Sequence, residues 1–238
     1  GVEINKNGYI ENERLPLRHN GNFSEGAVSL VDFVDVTPRQ VIGASASLIP
    51  FLAHDEGNRS LMGSNMQCQS VPLVNPESPV VGTGMEKEIA KGMNRVIYAR
   101  HAGFVEYADA RLVEVKLDKK VDIVTSKADE IEITDDGKKE TYHLLKFKRT
   151  AHSTCYNQKV VVLPGERIKA GDLVADGPSI ESGELSLGRN LVIAYTSMSG
   201  YGFEDAILVS DRVVKEDLLT SIHIEEYEAD IVDTKLGP

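Results

Sequence analysis

The stretch from His54 to Gln69, HDEGNRSLMGSNMQCQ, concentrates side chains that could contact a nucleotide. Its pattern predicts a short helix that begins after Gly57. Helical spacing places five side chains on or beside one stripe, namely Arg59, Met62, Asn65, Met66 and Gln69. A guanidinium, two thioethers and two amides are unusual for a core face, and such groups contact phosphates, ribose and bases. The same residue types also suit a solvated face on which Met fills an irregular gap, so both interpretations stay open.

Two adjacent carboxylates, Glu204 and Asp205, lie in the stretch GYGFEDAILVS between two apolar runs. The runs at residues 190–196 and 206–209 predict strands, and the first has the continuous apolar character of a strand buried on both faces. Carboxylates held between buried strands must meet a cation or a basic partner, because an unpaired buried charge is costly. They could assist a magnesium-dependent phosphoryl-transfer site, or they could form a salt bridge to an arginine of a partner.

A metal site is disfavoured at the adjacent residues His54, Asp55 and Glu56, although each could be a ligand. Neighbouring residues rarely point to one centre, and no HExxH or HxH spacing follows. Negative side chains just before a helix instead favour capping and interaction with the positive end of the helix dipole.

The remaining sequence predicts mostly short strands with few helices. Residues 1–26 are rich in turns and predict loops. Strands are predicted at 28–36, 96–100, 103–109, 110–117 and 141–149. Thr37 and Pro38 predict the start of a helix that runs to Leu48. The spaced glycines of residues 164–179 are typical of a small barrel with tight corners.

The composition limits the partners that the chain can bind by itself. The net charge of the 238 residues is −11, and the acid is concentrated in residues 204–233. The charge therefore argues against binding of nucleic acid through bulk electrostatics, which needs clustered Lys and Arg, and any contact with nucleic acid must be local. No apolar run is long enough to span a bilayer, and Cys68 and Cys155 show no metal-binding or disulfide spacing. These features are typical of a cytoplasmic protein.

Several longer motifs follow one another along the chain. They read TPRQVIGASASLIPFLAHDEGNRSLMGSNMQCQSVPLV, VVGTGME, ADGPS, GELSLGRN, GYGFEDAILVS, TSIHIEEYE and DTKLGP. In content and order they resemble the bacterial-type RNA polymerase beta subunit. The similarity runs from about residue 31 to residue 238, with a divergent stretch at 117–140.

The resemblance implies roles for the residues singled out above. Arg59 is expected to reach the triphosphate of the incoming nucleotide, and Asn65 and Gln69 are expected to lie along the RNA 3′ end. Glu204 and Asp205 are expected to act beside the nucleotide-associated Mg²⁺ without binding it directly. The beta-prime subunit would hold the metal, because the NADFDGD motif that carries the primary ligands is absent here.

The resemblance also implies a fold and a domain organisation. The expected class is mainly β with short helices (α+β), with a mixed small barrel and an external β domain inside a larger multi-domain subunit. Residues 1–36 would end an external domain, and residues 37–75 would form a helical segment with the NRSLMGSNMQCQ motif. Residues 76–238 would begin the hybrid-binding region, with small-barrel elements and a variable hairpin at 117–140. The absence of an initiator Met leads us to expect an internal piece of the subunit, inactive alone.

The function expected from these features is part of the active-centre wall of DNA-directed RNA polymerase, for template-directed RNA synthesis from NTPs. The expected partners are the beta-prime, alpha and sigma subunits, the DNA template and RNA, in the nucleoid-associated cytoplasm and without a membrane. The alternative is a non-catalytic acidic module that only docks onto other proteins. The two differ in whether Arg59 converges in space with Glu204 and Asp205.

Overall fold

The computed structural model describes residues 2–35, 37–121, 131–134, 137–232 and 235–236. The chain divides into two units, residues 1–43 and residues 44–238, and each is considered by itself. No helix in these described ranges is both long and apolar enough to cross a bilayer.

The first unit is built on a hairpin that the sequence analysis treated as loop. Strands β1 (Arg14–His19) and β2 (Asn22–Ala27) pair antiparallel through a two-residue turn. Asn20 and Gly21 occupy that turn with φ of 47° and 82°. Positive φ at both central residues is the requirement of the type I′ turn, whose twist matches that of paired strands, and Asn-Gly satisfies it best. The dipeptide was therefore a hairpin signal and not only a loop signal.

The strand predicted at 28–36 is wrong. Val28–Leu30 is a 3-10 helix, residues 31–35 have no regular structure, and Val36 lies outside the described residues. Leu30 and Phe33, which were expected on or near a buried face, are exposed. A strand needs a neighbour to satisfy its backbone hydrogen bonds, and in the described part of the unit β2 pairs with β1.

The single helix predicted at 38–48 is also wrong. A 3-10 helix covers Pro38–Val41 in the first unit, and helix α1 (Ala44–Ser47) belongs to the second unit. Ile42 and Gly43 lie between them without helical structure. Glycine in a helix interior is unfavourable by about 1 kcal/mol relative to alanine, so Gly43 favours an interruption here without being sufficient for one, since α2 continues through Gly63.

The second unit is mainly β. Its other described α-helices are α2 (Gly57–Cys68), α3 (Met85–Gly92) and α4 (Asp211–Lys215). Its strands are β3 (Ile97–Tyr98), β4 (Gly103–Ala108), β5 (Leu112–Leu117), β6 (Ile131–Thr134), β7 (Lys139–His143), β8 (Lys148–Arg149), β9 (Cys155–Tyr156), β10 (Lys159–Val160), β11 (Arg167–Ile168), β12 (Leu173–Asp176), β13 (Ile180–Glu181) and β14 (Glu184–Leu185).

The core of this unit lies on one face of a five-stranded antiparallel sheet with the strand order β11-β4-β5-β7-β6. Val105, Val113 and Val115 are fully buried, and the intervening Glu114 pairs with Lys139 at 2.8 Å on the other face. This period of two is the pattern from which the strands at 103–109 and 110–117 were predicted, and both are confirmed. Burial of these β-branched side chains drives the sheet to form.

The mainly β class with short helices is confirmed, but the described strands form open sheets and no closed barrel. The glycine-rich residues 164–179 carry β11 and β12, which belong to two different sheets. The hairpin predicted at 117–140 is present in part, because β6 pairs antiparallel with β7. The other residues of that stretch include 122–130 and 135–136, which lie outside the described ranges.

The two apolar runs near the carboxyl end do not form the predicted strands. Residues 190–196 and 206–209 have no regular structure, and Val192, Tyr195 and Ile207 are exposed. Apolar character alone does not make a strand, because extended backbone also needs a pairing edge. No described strand pairs with either run.

Replacement of Tyr142 by Phe should test the central sheet. Tyr142 is fully buried, and its hydroxyl accepts a hydrogen bond of 3.0 Å from the backbone N–H of Arg100. Tyr142→Phe keeps the ring but removes that acceptor. The free energy of unfolding, measured by urea denaturation, should therefore fall by about 1–3 kcal/mol. The matched control is Tyr107→Phe on β4, where the side chain is exposed. Its free energy of unfolding should change by about 0.5 kcal/mol or less. Equal losses in the two variants would contradict this account.

Candidate functional site

Helix α2 forms where the sequence predicted it, and a carboxylate caps its N-terminus. Glu56 accepts a 3.2 Å hydrogen bond from the backbone N–H of Arg59 and a 2.8 Å bond from the Asn58 side chain. This satisfies one of the orphan N–H groups at the start of the helix and places negative charge at its positive end. Capping by an acidic residue before the helix is therefore confirmed. Among the described residues, no group of three His, Cys, Asp or Glu could hold a metal.

The faces of α2 differ in side-chain size and exposure. The half-buried face consists of Ser60, Gly63, Ser64 and Gln67. Helix α1 packs against α2, and a β-carbon on Gly63 would lie 3.8 Å from the Ile49 side chain. A helix of twelve residues is marginal alone, so this contact and the cap must hold it in place.

The exposed face carries the residues predicted to contact substrate. Arg59, Asn65 and Met66 are exposed, and Gln69 is exposed just past the helix end. Nη1 of Arg59 lies 3.7 Å from the sulfur of Met62, and no ion pair to a carboxylate within the described ranges neutralises it. The stripe is therefore exposed, which agrees with either of the two interpretations left open by the sequence. It leaves a guanidinium available for an external anion.

Glu204 and Asp205 are placed differently from the prediction. They lie in an exposed turn, where Glu204 has a φ of 54°, and they are not held between buried strands. The strands that should have buried them are absent, so the argument that they must have a buried cationic partner no longer applies. Neither side chain hydrogen-bonds or forms an ion pair with any described residue.

The two groups of predicted site residues share no polar contact in the described part of the chain. Within the described chain, no hydrogen bond or ion pair links Arg59, Asn65 or Gln69 to Glu204 or Asp205. The two acidic side chains could supply only part of the six octahedral oxygen ligands of Mg²⁺, so water or groups from outside this chain would have to supply the rest. A metal centre built from this chain by itself is therefore not supported.

A set of long-range hydrogen bonds holds the segment after α2 in place. We name residues 75–80 and 181–190, with the bonds between them, the clasp. The backbone N–H of Ser78 donates to Glu181 Oε2 at 2.7 Å, and Asn190 Nδ2 donates to the Ser78 carbonyl at 2.8 Å. Asn190 Oδ1 in turn accepts from the Val80 N–H at 3.1 Å. The clasp thereby joins the GELSLGRN motif to the chain that leaves α2.

The VVGTGME motif, residues 80–86, forms the turn before α3 and the first residues of that helix. Glu86 is buried, and its carboxylate accepts 2.8 Å hydrogen bonds from the backbone N–H groups of Thr83 and Gly84. Burial raises the pKa of Glu86, but these bonds outweigh burial and hold its pKa below the ordinary value. Gly84 has a φ of 87°, which a residue with a β-carbon rarely adopts. The glycines therefore serve the cap of α3.

The cavities in the described part of the second unit include two that none of the five predicted site residues lines. The larger has a volume of about 650 Å³ and lies beside β10 and the turn at 176–182. The smaller, of about 250 Å³, is lined by Gln67 of α2, by Glu86 and by Arg189 of the clasp. The sequence analysis missed these three residues as a group. The only signal was that Gln67 belongs to the NRSLMGSNMQCQ motif and Arg189 to GELSLGRN.

Comparison with known proteins identifies the family. Residues 98–238 match the family model described as RNA polymerase Rpb2, domain 6. The chain belongs to this family. The matched range of the Rpb2 domain 6 family includes the five-stranded sheet, residues 181–190 of the clasp, and the turn that carries Glu204 and Asp205.

Relatives extend the similarity to the whole chain, including α2. A DNA-directed RNA polymerase subunit beta of Streptococcus uberis (strain ATCC BAA-854 / 0140J) is 45% identical over 236 residues. A DNA-directed RNA polymerase subunit beta of Streptococcus pyogenes serotype M5 (strain Manfredo) is 44% identical over 236 residues. Each alignment covers 99% of this chain and 18% of the relative, so the chain spans less than a fifth of their length.

Replacement of Glu86 by Gln should lower stability in a pH-dependent way. The amide keeps the volume but loses the charge that two backbone N–H groups stabilise, so the loss at pH 7 should be about 1–3 kcal/mol. Because the pKa of Glu86 is lowered in the folded state, its charge contributes fully to the free energy of unfolding when the pH is above the ordinary glutamate pKa of about 4.3. The contribution is lost as the pH falls through the lowered pKa, and the two proteins should then converge.

The measurement is urea denaturation of both proteins from pH 7 down to pH 3. The matched control is Glu88→Gln in the same helix, where the exposed carboxylate pairs with Lys91 at 3.6 Å. The free energy of unfolding of that variant should fall by about 0.5 kcal/mol or less. A difference between wild type and Glu86→Gln that stays constant over the whole pH range would show that the charge of Glu86 is not what stabilises α3.

Proposed function

We propose that this chain forms part of the active-centre wall of a DNA-directed RNA polymerase, in its beta subunit. The observation that carries the proposal is the 44–45% identity to polymerase beta subunits along almost the whole chain. The reaction is transfer of a nucleotidyl group from an NTP to the RNA 3′ hydroxyl, directed by a DNA template. The net charge of −11 means that basic surfaces for DNA and RNA come from other parts of the enzyme.

In this proposal Arg59 binds the triphosphate of the incoming NTP. A guanidinium matches phosphate oxygens through two parallel N–H groups, and it keeps its charge at any physiological pH. The exposed position of Arg59 on α2, without an ion pair to a described residue, leaves it available for this contact. Asn65 and Gln69 are exposed toward the carboxyl end of α2. In this proposal they hydrogen-bond the RNA 3′ end.

Glu204 and Asp205 act near the nucleotide-associated Mg²⁺ in this proposal. Their exposed turn lets them approach a metal that another subunit holds, and carboxylate oxygens suit a hard cation or its bound waters. Mg²⁺, held mainly by beta-prime, would neutralise charge on the triphosphate as the bond forms. The other proposed partners are the alpha and sigma subunits, DNA and RNA, in the nucleoid-associated cytoplasm.

Replacement of Arg59 by Ala in the assembled polymerase should raise the apparent KM for NTPs. Loss of one charge-assisted contact to phosphate is expected to cost about 1–3 kcal/mol, with a similar effect for all four NTPs because the triphosphate is common to them. Steady-state elongation at varied NTP concentration measures this.

The matched control for Arg59→Ala is Arg167→Ala on β11. Arg167 is also an exposed arginine, but its guanidinium already pairs with Asp118 at 2.9 Å. The control should leave the KM unchanged. An Arg59→Ala enzyme with wild-type dependence on every NTP would remove Arg59 from the proposed site.

The double variant Glu204→Gln, Asp205→Asn should make elongation require more magnesium. Both side chains keep their volume and lose their charge, so the nucleotide-associated Mg²⁺ would lose outer-sphere contacts. Elongation should then reach half of its maximal rate only at a higher Mg²⁺ concentration. The melting temperature should change little, because both carboxylates are exposed and unpaired among the described residues. A large loss of melting temperature with an unshifted magnesium titration would show that the pair is structural.

A further inference from the structure

A long stretch of this acidic chain has no acidic residue. Residues 141–165 contain four Lys or Arg side chains and no Asp or Glu, although the whole chain carries 37 acidic residues. Three of the four cations fall within residues 146–149, KFKR, and they flank an aromatic ring. A local cluster of one sign of charge attracts the opposite sign even where the net charge of the chain is against it.

These residues form a hairpin with one irregular strand. Strands β8 and β9 pair with Lys148 opposite Tyr156. The open end is closed at Leu145 and Gln158, by bonds of 2.8 and 2.9 Å. The chain advances three residues from 145 to 148 but only two from 156 to 158, so the first strand holds one extra residue, as in a β-bulge. We name residues 145–158 the basic hairpin.

The irregular strand carries a strained aromatic residue. Phe147 has a φ of 49°, which a residue with a β-carbon rarely adopts. The residue is 59% exposed, and Lys146 Nζ lies 5.7 Å from the centroid of its ring. Such backbone outliers concentrate where a ligand is held. Because the strained backbone gains little burial of the ring, a partner outside this chain accounts for it better than packing does.

Two cations of the basic hairpin are anchored but not neutralised. Arg149 Nε donates to the Ile224 carbonyl at 3.2 Å, and its Nη2 donates to Ser153 Oγ at 3.1 Å. Lys146 Nζ donates to the Gln158 carbonyl at 2.6 Å. All three acceptors are neutral, and neither cation forms an ion pair with a carboxylate in the described ranges. Both keep further N–H groups for an external anion. Burial lowers the pKa of the Lys146 ammonium, and a bound anion would favour its charged form.

A single strand of nucleic acid fits this surface better than an acidic protein segment does. The face of an aromatic ring is partly negative and disfavours a carboxylate, whereas an unpaired base stacks on it. Phosphates beside that base suit Arg149 and Lys146. Phe147 also lines the larger cavity, whose wall includes the carboxylates of Asp176 and Glu181. The space beside the ring therefore suits a neutral base and not a phosphate.

We propose that the basic hairpin binds single-stranded nucleic acid in the assembled polymerase, with one base stacked on Phe147 and the neighbouring phosphates on Arg149 and Lys146. The contact is local, in keeping with the net charge of −11. The proposal rests on the place of this chain in a polymerase, as given under Proposed function, but not on the role of Arg59. DNA and RNA share the base faces and phosphates that the hairpin recognises, so the test labels each strand in turn.

Photocrosslinking from position 147 tests the contact directly. Benzoylphenylalanine replaces Phe147 in an elongation complex assembled on template DNA, non-template DNA and RNA. Irradiation should join position 147 to an unpaired nucleotide of one strand, and the label identifies that strand. No adduct with nucleic acid, or an adduct with protein only, would overturn the proposal.

Phe104 on β4 is the matched control position. It is also exposed, but its cross-strand neighbours Lys116 and Arg167 already pair with carboxylates at 3.4 and 2.9 Å. Benzoylphenylalanine at position 104 should give no adduct with nucleic acid.

Substitution of the ring tests stacking. Phe147→Gly removes the ring, and glycine adopts a φ of 49° freely, so the variant adds no strain. Elongation complexes that carry it should dissociate about threefold to tenfold faster in a salt challenge. Phe147→Tyr keeps the ring and should stay within about twofold of wild type. A Phe147→Gly complex as long-lived as wild type would contradict stacking.

Substitution of Arg149 tests the phosphate contact. For Arg149→Gln, the slope of log affinity for the nucleic-acid scaffold against log salt concentration should become shallower by about 0.7, the value for one phosphate of a single strand. Arg167→Gln is the control, because Arg167 already pairs with Asp118, and its slope should be that of wild type. An unchanged slope in Arg149→Gln would remove the phosphate from the proposal. If position 147 gives no nucleic-acid adduct while Arg59→Ala raises the KM for NTPs, the basic hairpin proposal fails and the proposed function stands.

Discussion

The constraint on which the helical segment depends is the clasp between residues 75–80 and 181–190. Its hydrogen bonds join parts of the chain that are more than a hundred residues apart, as between Ser78 and Glu181 or between Val80 and Asn190. Closing such a long loop costs entropy, so we expect these bonds to form after the intervening sheet has brought the two segments together. The buried valines of β4 and β5 would then contribute to the placement of the segment that follows α2, although they lie on other elements.

Local signals predicted the parts of the fold that local energetics determine. The alternation of Val113, Glu114 and Val115 identified a strand, and Gly57 with the preceding Glu56 identified the start of α2. Where pairing decides the structure, the same reasoning failed. The apolar runs at 190–196 and 206–209 read as strands, but a strand exists only beside another strand, and the sequence of the run does not contain that information.

The candidate site was predictable to a similar degree. Arg59 stood out as a polar member of a helical stripe that could contact phosphate, its role was implied by the family resemblance, and the structure leaves it exposed. The environment of Glu204 and Asp205 was predicted wrongly, because it was deduced from strands that did not form. That Gln67 and Arg189 line one cavity could not be predicted from the sequence, because the cavity arises from tertiary packing of distant segments.

The central claim is that α2 presents a guanidinium to the triphosphate of an NTP. Its most direct test is an experimental structure of the assembled polymerase trapped with a template, RNA and a non-hydrolysable NTP. The account predicts Arg59 nitrogens about 2.7–3.2 Å from phosphate oxygens. A structure in which Arg59 pairs with a carboxylate, or points away while other residues hold the triphosphate, would contradict it.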